Sequence, residues 1–186
     1  MQSKISTPRF LFVTIAIVTV AISRLLPHPP NFTPIAAMAL FGGAWLTNKK
    51  LAFLLPLLAM FISDLILELA AGIGFHNTIL YVYASFIVMT LLGIYIRNNA
   101  KTSHVILASL ISSILFFLIT NFGVWAASGF ESGRQGLLAT YAAGIPFYNN
   151  SVFGSFFLNT IIGDLFYCGI LFGSLYYAKR KFPALA

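Results

Sequence analysis

Long apolar stretches separated by short polar breaks run the length of this chain. Six windows stand out, at residues 10–26, 34–47, 51–71, 79–96, 104–128 and 152–178. Most approach the roughly 17–25 residues that a membrane-spanning helix needs. The second window holds 14 residues, roughly 21 Å if fully helical. It is either a short span or a re-entrant segment. The breaks differ in kind. Residues 48–50 and 97–103 are short and basic, whereas 27–33, 72–77 and 129–151 carry Pro, Gly, His and Asn. The last break contains an apolar, helix-compatible piece, 136–144, followed by Pro146. Breaks beyond about 12–15 residues are commonly functional or disordered, and this one is too aromatic and apolar for disorder. It is expected to fold back as a cap.

Basic residues orient the windows. With six spans and a cytoplasmic N-terminus, the inside holds Lys4, Arg9, Lys49, Lys50, Arg97, Lys101, Lys179, Arg180 and Lys181, and the outside only Arg24 and Arg134. If the second window fails to span and the N-terminus lies outside, Lys4 and Arg9 join Arg134 there. Positive-inside bias favours the six-span arrangement with both termini cytoplasmic. The apolar run after Lys4 and Arg9 continues past the weak cleavage-like Ala21-Ile22-Ser23, so it is read as a retained helix.

Composition agrees with this pattern. The 186 residues are 59% hydrophobic and 8% charged, with a mean hydropathy of +0.91. A soluble domain needs far more charge to cover its surface, so an all-α polytopic membrane protein forming a single integral membrane domain is expected. The net charge of +7 would point to nucleic acid in a soluble protein. Here the bases sit at the ends of apolar runs as topology signals, and no nucleic-acid partner is expected. The single cysteine, Cys168, excludes an intramolecular disulfide and reads as a small packing residue.

The candidate chemistry lies in the carboxylates. There are four, and Asp64, Glu68 and Asp164 fall inside apolar windows while Glu131 stands in a polar break. An ionised carboxylate at bilayer depth costs several kcal/mol and usually faces a protein interior or a watery path. Asp64 lies roughly 20 Å along the third helix, and Glu68 is one turn further on the same face. Asn121 and Trp125 share that spacing on the fifth helix. Asn159 and Asp164 fall in the outer half and near the middle of the sixth, and Arg24 lies near the outer end of the first. These positions reach similar depths and outline an outward-facing pocket. The competing reading makes Asp64 or Asp164 helix glue, or the packing partner of Arg24. Trp125, Tyr141, Phe147 and Tyr148 form either an interfacial belt or a stacking surface.

Other features narrow the classes. His28 and His76 lie in different breaks without diagnostic ligand spacing, so no metal or other cofactor is expected. No Gly-x-x-x-x-Gly-Lys run cradles a nucleotide phosphate and no nucleophile elbow is present, so no enzymatic activity is expected. Ala39 and Gly43, and Gly169 and Gly173, have small-xxx-small spacing. It serves either close helix packing or a groove for a partner.

Four stretches carry a family resemblance: Asn31-Phe32-Thr33-Pro34-Ile35-Ala36-Ala37-Met38-Ala39-Leu40-Phe41-Gly42-Gly43, Phe61-Ile62-Ser63-Asp64-Leu65-Ile66-Leu67, Phe116-Phe117-Leu118-Ile119-Thr120-Asn121-Phe122-Gly123-Val124-Trp125, and Gly163-Asp164-Leu165. With the size and helix count, they resemble an uncharacterised bacterial membrane-protein family similar to the S components of energy-coupling factor transporters. The resemblance implies an S-component-like bundle in the bacterial cytoplasmic membrane, capturing a vitamin or related micronutrient from outside. It also implies a separate energy-coupling membrane subunit with ATPases as partner. The Ala-x-x-x-Ala through which S components commonly dock has no counterpart in the first helix, where Ala16 and Ala21 are five apart. On this reading Asp64, Glu68, Asn121, Asn159, Asp164 and Arg24 bind the ligand and Trp125 stacks. Tyr141, Pro146 and Phe147 gate. The alternative is a non-transporting scaffold or assembly protein similar to the rod-shape determinant MreD.

Overall fold

The computed structural model describes residues 7–128, 136–145 and 154–185. All regular structure in them is helical: α1 (Pro8–Ile22), α2 (Ile35–Trp45), α3 (Lys49–Ala71), α4 (Ile79–Ile96), α5 (Thr102–Ala127), α6 (Leu137–Ala143) and α7 (Phe156–Lys181), with short 3₁₀ turns at Ser23–Leu25, Arg97–Asn99 and Pro183–Leu185. The helix ends follow local chemistry. Thr7 caps α1 by accepting from the Phe10 amide, with Pro8 in the first turn, where a missing N–H costs nothing. Asn48 accepts from the amides of Lys50 and Leu51 to start α3. That helix stops at Gly72, whose φ of 65° is the left-handed geometry that glycine adopts freely. Ser155 caps α7, and Lys179, Arg180 and Lys181 fill its last turn, favourable at the negative end of the helix dipole.

Five helical segments, Pro8–Leu25, Lys49–Ala71, Ile79–Asn99, Thr102–Ala127 and Phe156–Lys181, are long and apolar enough to cross a membrane. The sixth expected span differs. α2 has 11 residues, about 16 Å, well short of a hydrocarbon core of about 30 Å. Every residue from Ile35 to Ala44 is buried, as expected of a helix that is apolar all round. The chain travels from the far end of α1 to the start of α3 through irregular residues 26–34 and then α2. Asn31 turns this stretch with φ 62°, a conformation asparagine tolerates better than most residues. The Phe32 amide closes the turn on the Pro29 carbonyl at 3.0 Å.

Packing around α2 explains its composition. Between helices in lipid the hydrophobic effect is weak, so close van der Waals contact carries association. A Cβ on Gly43 would lie 2.4 Å from the Thr90 carbonyl, and one on Gly93 would lie 2.4 Å from that of Leu40. α2 and α4 therefore meet backbone to backbone, and Gly43 serves close packing. On another face, a Cβ on Gly42 would lie 2.7 Å from Pro56 Cγ of α3. Gly169 and Gly173 behave differently: a Cβ on either would meet nothing within 4 Å. Their spacing brings no helix close.

The C-terminal end of α2 is held by side chains from elsewhere. Arg97 donates through Nε and Nη2 to the Gly43 carbonyl at 3.1 and 2.8 Å, through Nη2 to Leu46 at 2.6 Å and through Nη1 to Thr47 at 3.3 Å. Trp45 sits beside Arg9 and Lys179, and Arg9 Nε donates to the Leu185 carbonyl at 3.2 Å. The first turn of α1, the end of α2 and the end of α7 thus share one end of the bundle. We call it the basic end. Gly93→Ala should destabilise the bundle by about 1–3 kcal/mol, the cost of overpacking a tight contact, whereas Gly169→Ala should be silent. Unfolding of the two variants in mixed micelles checks the contrast.

Candidate functional site

Arg24 is placed by the 3₁₀ turn that ends α1, which swings its side chain toward α3. Its Nη2 lies 2.6 Å from Asp64 Oδ1 in an ion pair whose side chains are 10% and 4% exposed. Nη1 donates to the Ser63 hydroxyl and, at 3.3 Å, to the Met60 carbonyl. Asp64 Oδ2 accepts from the Tyr83 hydroxyl of α4 at 2.8 Å. Both carboxylate oxygens are therefore engaged, and α1, α3 and α4 are tied at one point. Of the two carboxylates considered as partners of Arg24, the structure pairs it with Asp64.

Glu68 sits one turn beyond Asp64 but has a different task. Its Oε2 accepts from the Phe75 amide at 2.9 Å, pinning the break after α3. Gly74 makes that fold possible, because a Cβ there would lie 1.9 Å from the Asp64 carbonyl. The backbone of the break closes directly over the Asp64 turn.

Asp164 lies in another layer, between α5 and α7. It is 3% exposed, and its Oδ2 accepts from the Ser113 hydroxyl at 2.6 Å. Antiparallel packing sets this register: Ser113 meets Asp164, and one turn toward the basic end Ser109 stands beside the Cys168 thiol. Ser109 and Ser112 are fully buried, and their hydroxyls have no oxygen or nitrogen partner among the described residues. The ion pair found among those residues is that of Arg24 and Asp64, so no basic side chain there neutralises Asp164.

Asn159, fully buried and five residues before Asp164, donates from Nδ2 to the Pro30 carbonyl at 2.8 Å. At Gly163 the backbone of Phe32 approaches to 3.1 Å of where a Cβ would stand. The irregular stretch after α1 is thus laid along the Asn159–Gly163 face of α7, next to the face that presents Asp164 to Ser113. Asn121 donates to the Phe117 carbonyl of its own helix at 2.9 Å, and Trp125 stacks at 5.5 Å on Phe122. The helix-compatible piece expected at 136–144 is α6. It lies on α5, with the Tyr141 hydroxyl donating to the Leu118 carbonyl at 2.9 Å and its ring 5.9 Å from Phe117. Pro146 and Phe147, expected to gate with Tyr141, lie outside the described residues, as do Glu131 and Arg134.

The structure brings Arg24 to Asp64, and sets Asn159 and Asp164 on different faces of α7, the first against Pro30 and the second against Ser113. It assigns Glu68 to the loop, leaves Asn121 beside Gly144 at the end of α6 and sets Trp125 against Phe122. Sequence reasoning missed Ser63, Tyr83 and Ser113. Ser113 was visible as one of three serines, 109, 112 and 113, at helical spacing in an apolar window. His76 Nδ1 lies 2.9 Å from the Thr78 hydroxyl and His28 Nδ1 lies 2.9 Å from the Pro29 carbonyl. No group of three or more metal-binding side chains occurs among the described residues.

An all-helical bundle with five such segments, carrying buried ionisable groups between them, defines a polytopic membrane protein. The chain belongs to DUF6580, a family of unknown function whose model matches residues 4–185. No curated protein and no solved structure matches it.

Removing one partner of a buried pair leaves an uncompensated charge. Asp64→Asn should therefore destabilise the protein by about 3–5 kcal/mol, and Arg24→Gln in the same chain should restore most of the loss. Unfolding of the two single variants and the double variant in mixed micelles measures the coupling. Additive losses would show that the pair does not act as a unit.

Proposed function

We propose that this chain is a membrane transport protein of S-component type that captures a small, amine-bearing micronutrient at the end opposite the basic one. In this reading it resides in a bacterial cytoplasmic membrane with six passages, the basic end and both termini facing the cytoplasm. The observation that carries it is Asp164, a carboxylate sealed between two long apolar helices with a serine hydroxyl on one oxygen and no cation among the described residues. Such groups in a bilayer mark ligand, ion or proton paths. With Asp64 neutralised by Arg24, Asp164 is the buried carboxylate that still calls for a positive charge. An ammonium group or a proton supplies one.

Two further features support the reading. Irregular backbone at membrane depth is tolerated where it is packed in protein or lines a cavity, and residues 29–33 run beside the Asn159–Gly163 turns in this way. The short helix α6 lies over the outer half of α5, as a lid would. Energy coupling through a separate subunit with ATPases belongs to the same proposal. That subunit would have to dock without the alanine pattern, since Ala16 and Ala21 are five residues apart.

A scaffold reading is favoured by one observation, the Arg24–Asp64–Tyr83 knot. Both oxygens of its carboxylate are engaged, as in a device that only fastens helices. The two readings part at Asp164. Thermal-shift and native mass spectrometry screens of the detergent-purified protein against vitamins and nucleobases should find an amine-bearing ligand. Asp164→Asn should fold normally and bind it about 1.5–3 kcal/mol more weakly, the worth of a charge-assisted hydrogen bond. Absence of any ligand, with Asp164→Asn lowering stability instead, would support the scaffold.

A further inference from the structure

A cavity of about 550 Å³ lies between the start of α5 and the second half of α7, with Trp45 of α2 at its basic end. Its walls are apolar, built from Val105, Ile106, Leu165 and Phe172. Gly169 and Gly173 keep it open, since the space where their side chains would stand is empty. Ile106 is half-exposed and both glycines are exposed, so the slot opens sideways on the outer surface of the bundle, where lipid would lie.

The mouth at the basic end has the opposite chemistry. Lys179 lines it, with Nζ 3.9 Å from the centre of the Trp45 ring. No carboxylate lines the cavity, and no ion pair engages Lys179 among the described residues. Trp45, also in the lining, holds a buried indole N–H without an acceptor among those residues. Thr102 opens the 26-residue α5 beside it, and that helix has no side-chain cap on its first amides. A cation, an indole donor and an open helix N-terminus at one rim form an anion-binding arrangement.

An occupant must therefore join an apolar arm to an anion at the membrane surface. We infer that the slot binds one acidic glycerophospholipid from the leaflet at the basic end, with an acyl chain along α7 and its phosphate at Lys179 and Thr102. The dimensions agree. From Leu165 to Lys179 the slot follows roughly 21 Å of helix, against about 15 Å for half of a hydrocarbon core plus the headgroup region. A partner helix fits poorly: at 10–12 Å across, it would fill about 550 Å³ with roughly one turn. Basic pockets between membrane helices are suited to acidic headgroups. This site is separate from Asp164, and neither proposal depends on the other.

The test uses the full-length protein, stripped of lipid in neutral detergent and then given phosphatidylglycerol or phosphatidylcholine with identical acyl chains. Native mass spectrometry should show phosphatidylglycerol retained at least tenfold more than phosphatidylcholine. Lys179→Gln should bring the ratio close to one, while Lys181→Gln, whose ammonium lies over Tyr177 instead, should leave it unchanged. Gly173→Leu, and independently Gly169→Leu, should fill the slot and abolish retention of both lipids without altering the helical circular dichroism. Equal retention of the two lipids by the unmodified protein would overturn the inference. So would equal effects of Lys179→Gln and Lys181→Gln, which would signal diffuse surface charge. A change of oligomeric state in the leucine variants with lipid retention intact would identify a helix-docking surface and overturn it as well.

Discussion

Four hydrogen bonds from one guanidinium hold the end of the short central helix. Without Arg97, the carbonyls of Gly43, Leu46 and Thr47 would lose these donors where α2 ends, and at the buried Gly43 and Leu46 an unsatisfied carbonyl costs about 1–3 kcal/mol. With it, α2 can stop early. Neighbouring helices come close to it at its glycines: Gly42 admits Pro56, and Gly43 and Gly93 admit each other. A longer second helix would fill the space that residues 29–33 occupy beside Asn159 and Gly163. The irregular approach to the candidate site ends at Pro34, the residue that precedes α2.

Buried charge is divided unevenly between two layers. In the layer of α1, α3 and α4, a carboxylate meets an arginine, a tyrosine hydroxyl and, through the arginine, a serine. Its desolvation is offset by charge-assisted bonds on both oxygens. In the layer of α5 and α7, the Ser113 hydroxyl bonds the carboxylate, and the hydroxyls of Ser109 and Ser112 have no oxygen or nitrogen partner among the described residues. Both oxygens of Asp64 are engaged, although Arg24 Nε has no partner among the described residues. Asp164 shows one hydroxyl donor there, and on the proposed reading that difference separates a fastener from a place where something binds. Sequence spacing treated Asp64 and Asp164 as equivalents, and only the position of Arg24 distinguishes them.

Much of the fold was legible because long apolar windows in a membrane protein have few alternatives to helix. Five windows became long helices, and the apolar, helix-compatible piece at 136–144 became α6 with nearly the expected bounds. The 34–47 window, left open as a short span or a re-entrant segment, holds the 11-residue α2, and composition alone cannot tell a span from a short helix buried on all sides. Arg97 was read as a topology signal, yet its donors reach 50 and more residues back in sequence, beyond any local pattern. The site was half visible. Depth arithmetic located Asp64, Asn159 and Asp164, but the partners Ser113 and Tyr83 depend on helix rotation, which spacing does not give. Gly169 and Gly173 show the same limit, since their spacing is identical in a tight crossing and in an open slot.

The attachment of α6 has a thermodynamic consequence of its own. This helix has seven residues, far below the roughly 12–15 at which an isolated helix becomes even marginally stable. Its order is borrowed from α5 through Tyr141, which bonds a carbonyl that α5 already uses internally, and through the ring of Phe117. Releasing it therefore breaks no bond within α5 and leaves a segment unable to keep its own helix. Detachment and melting are one event. Departure from α5 is thus an order–disorder transition, in which the chain's entropy gain opposes the enthalpy of the Tyr141 anchor, rather than the swing of a rigid flap.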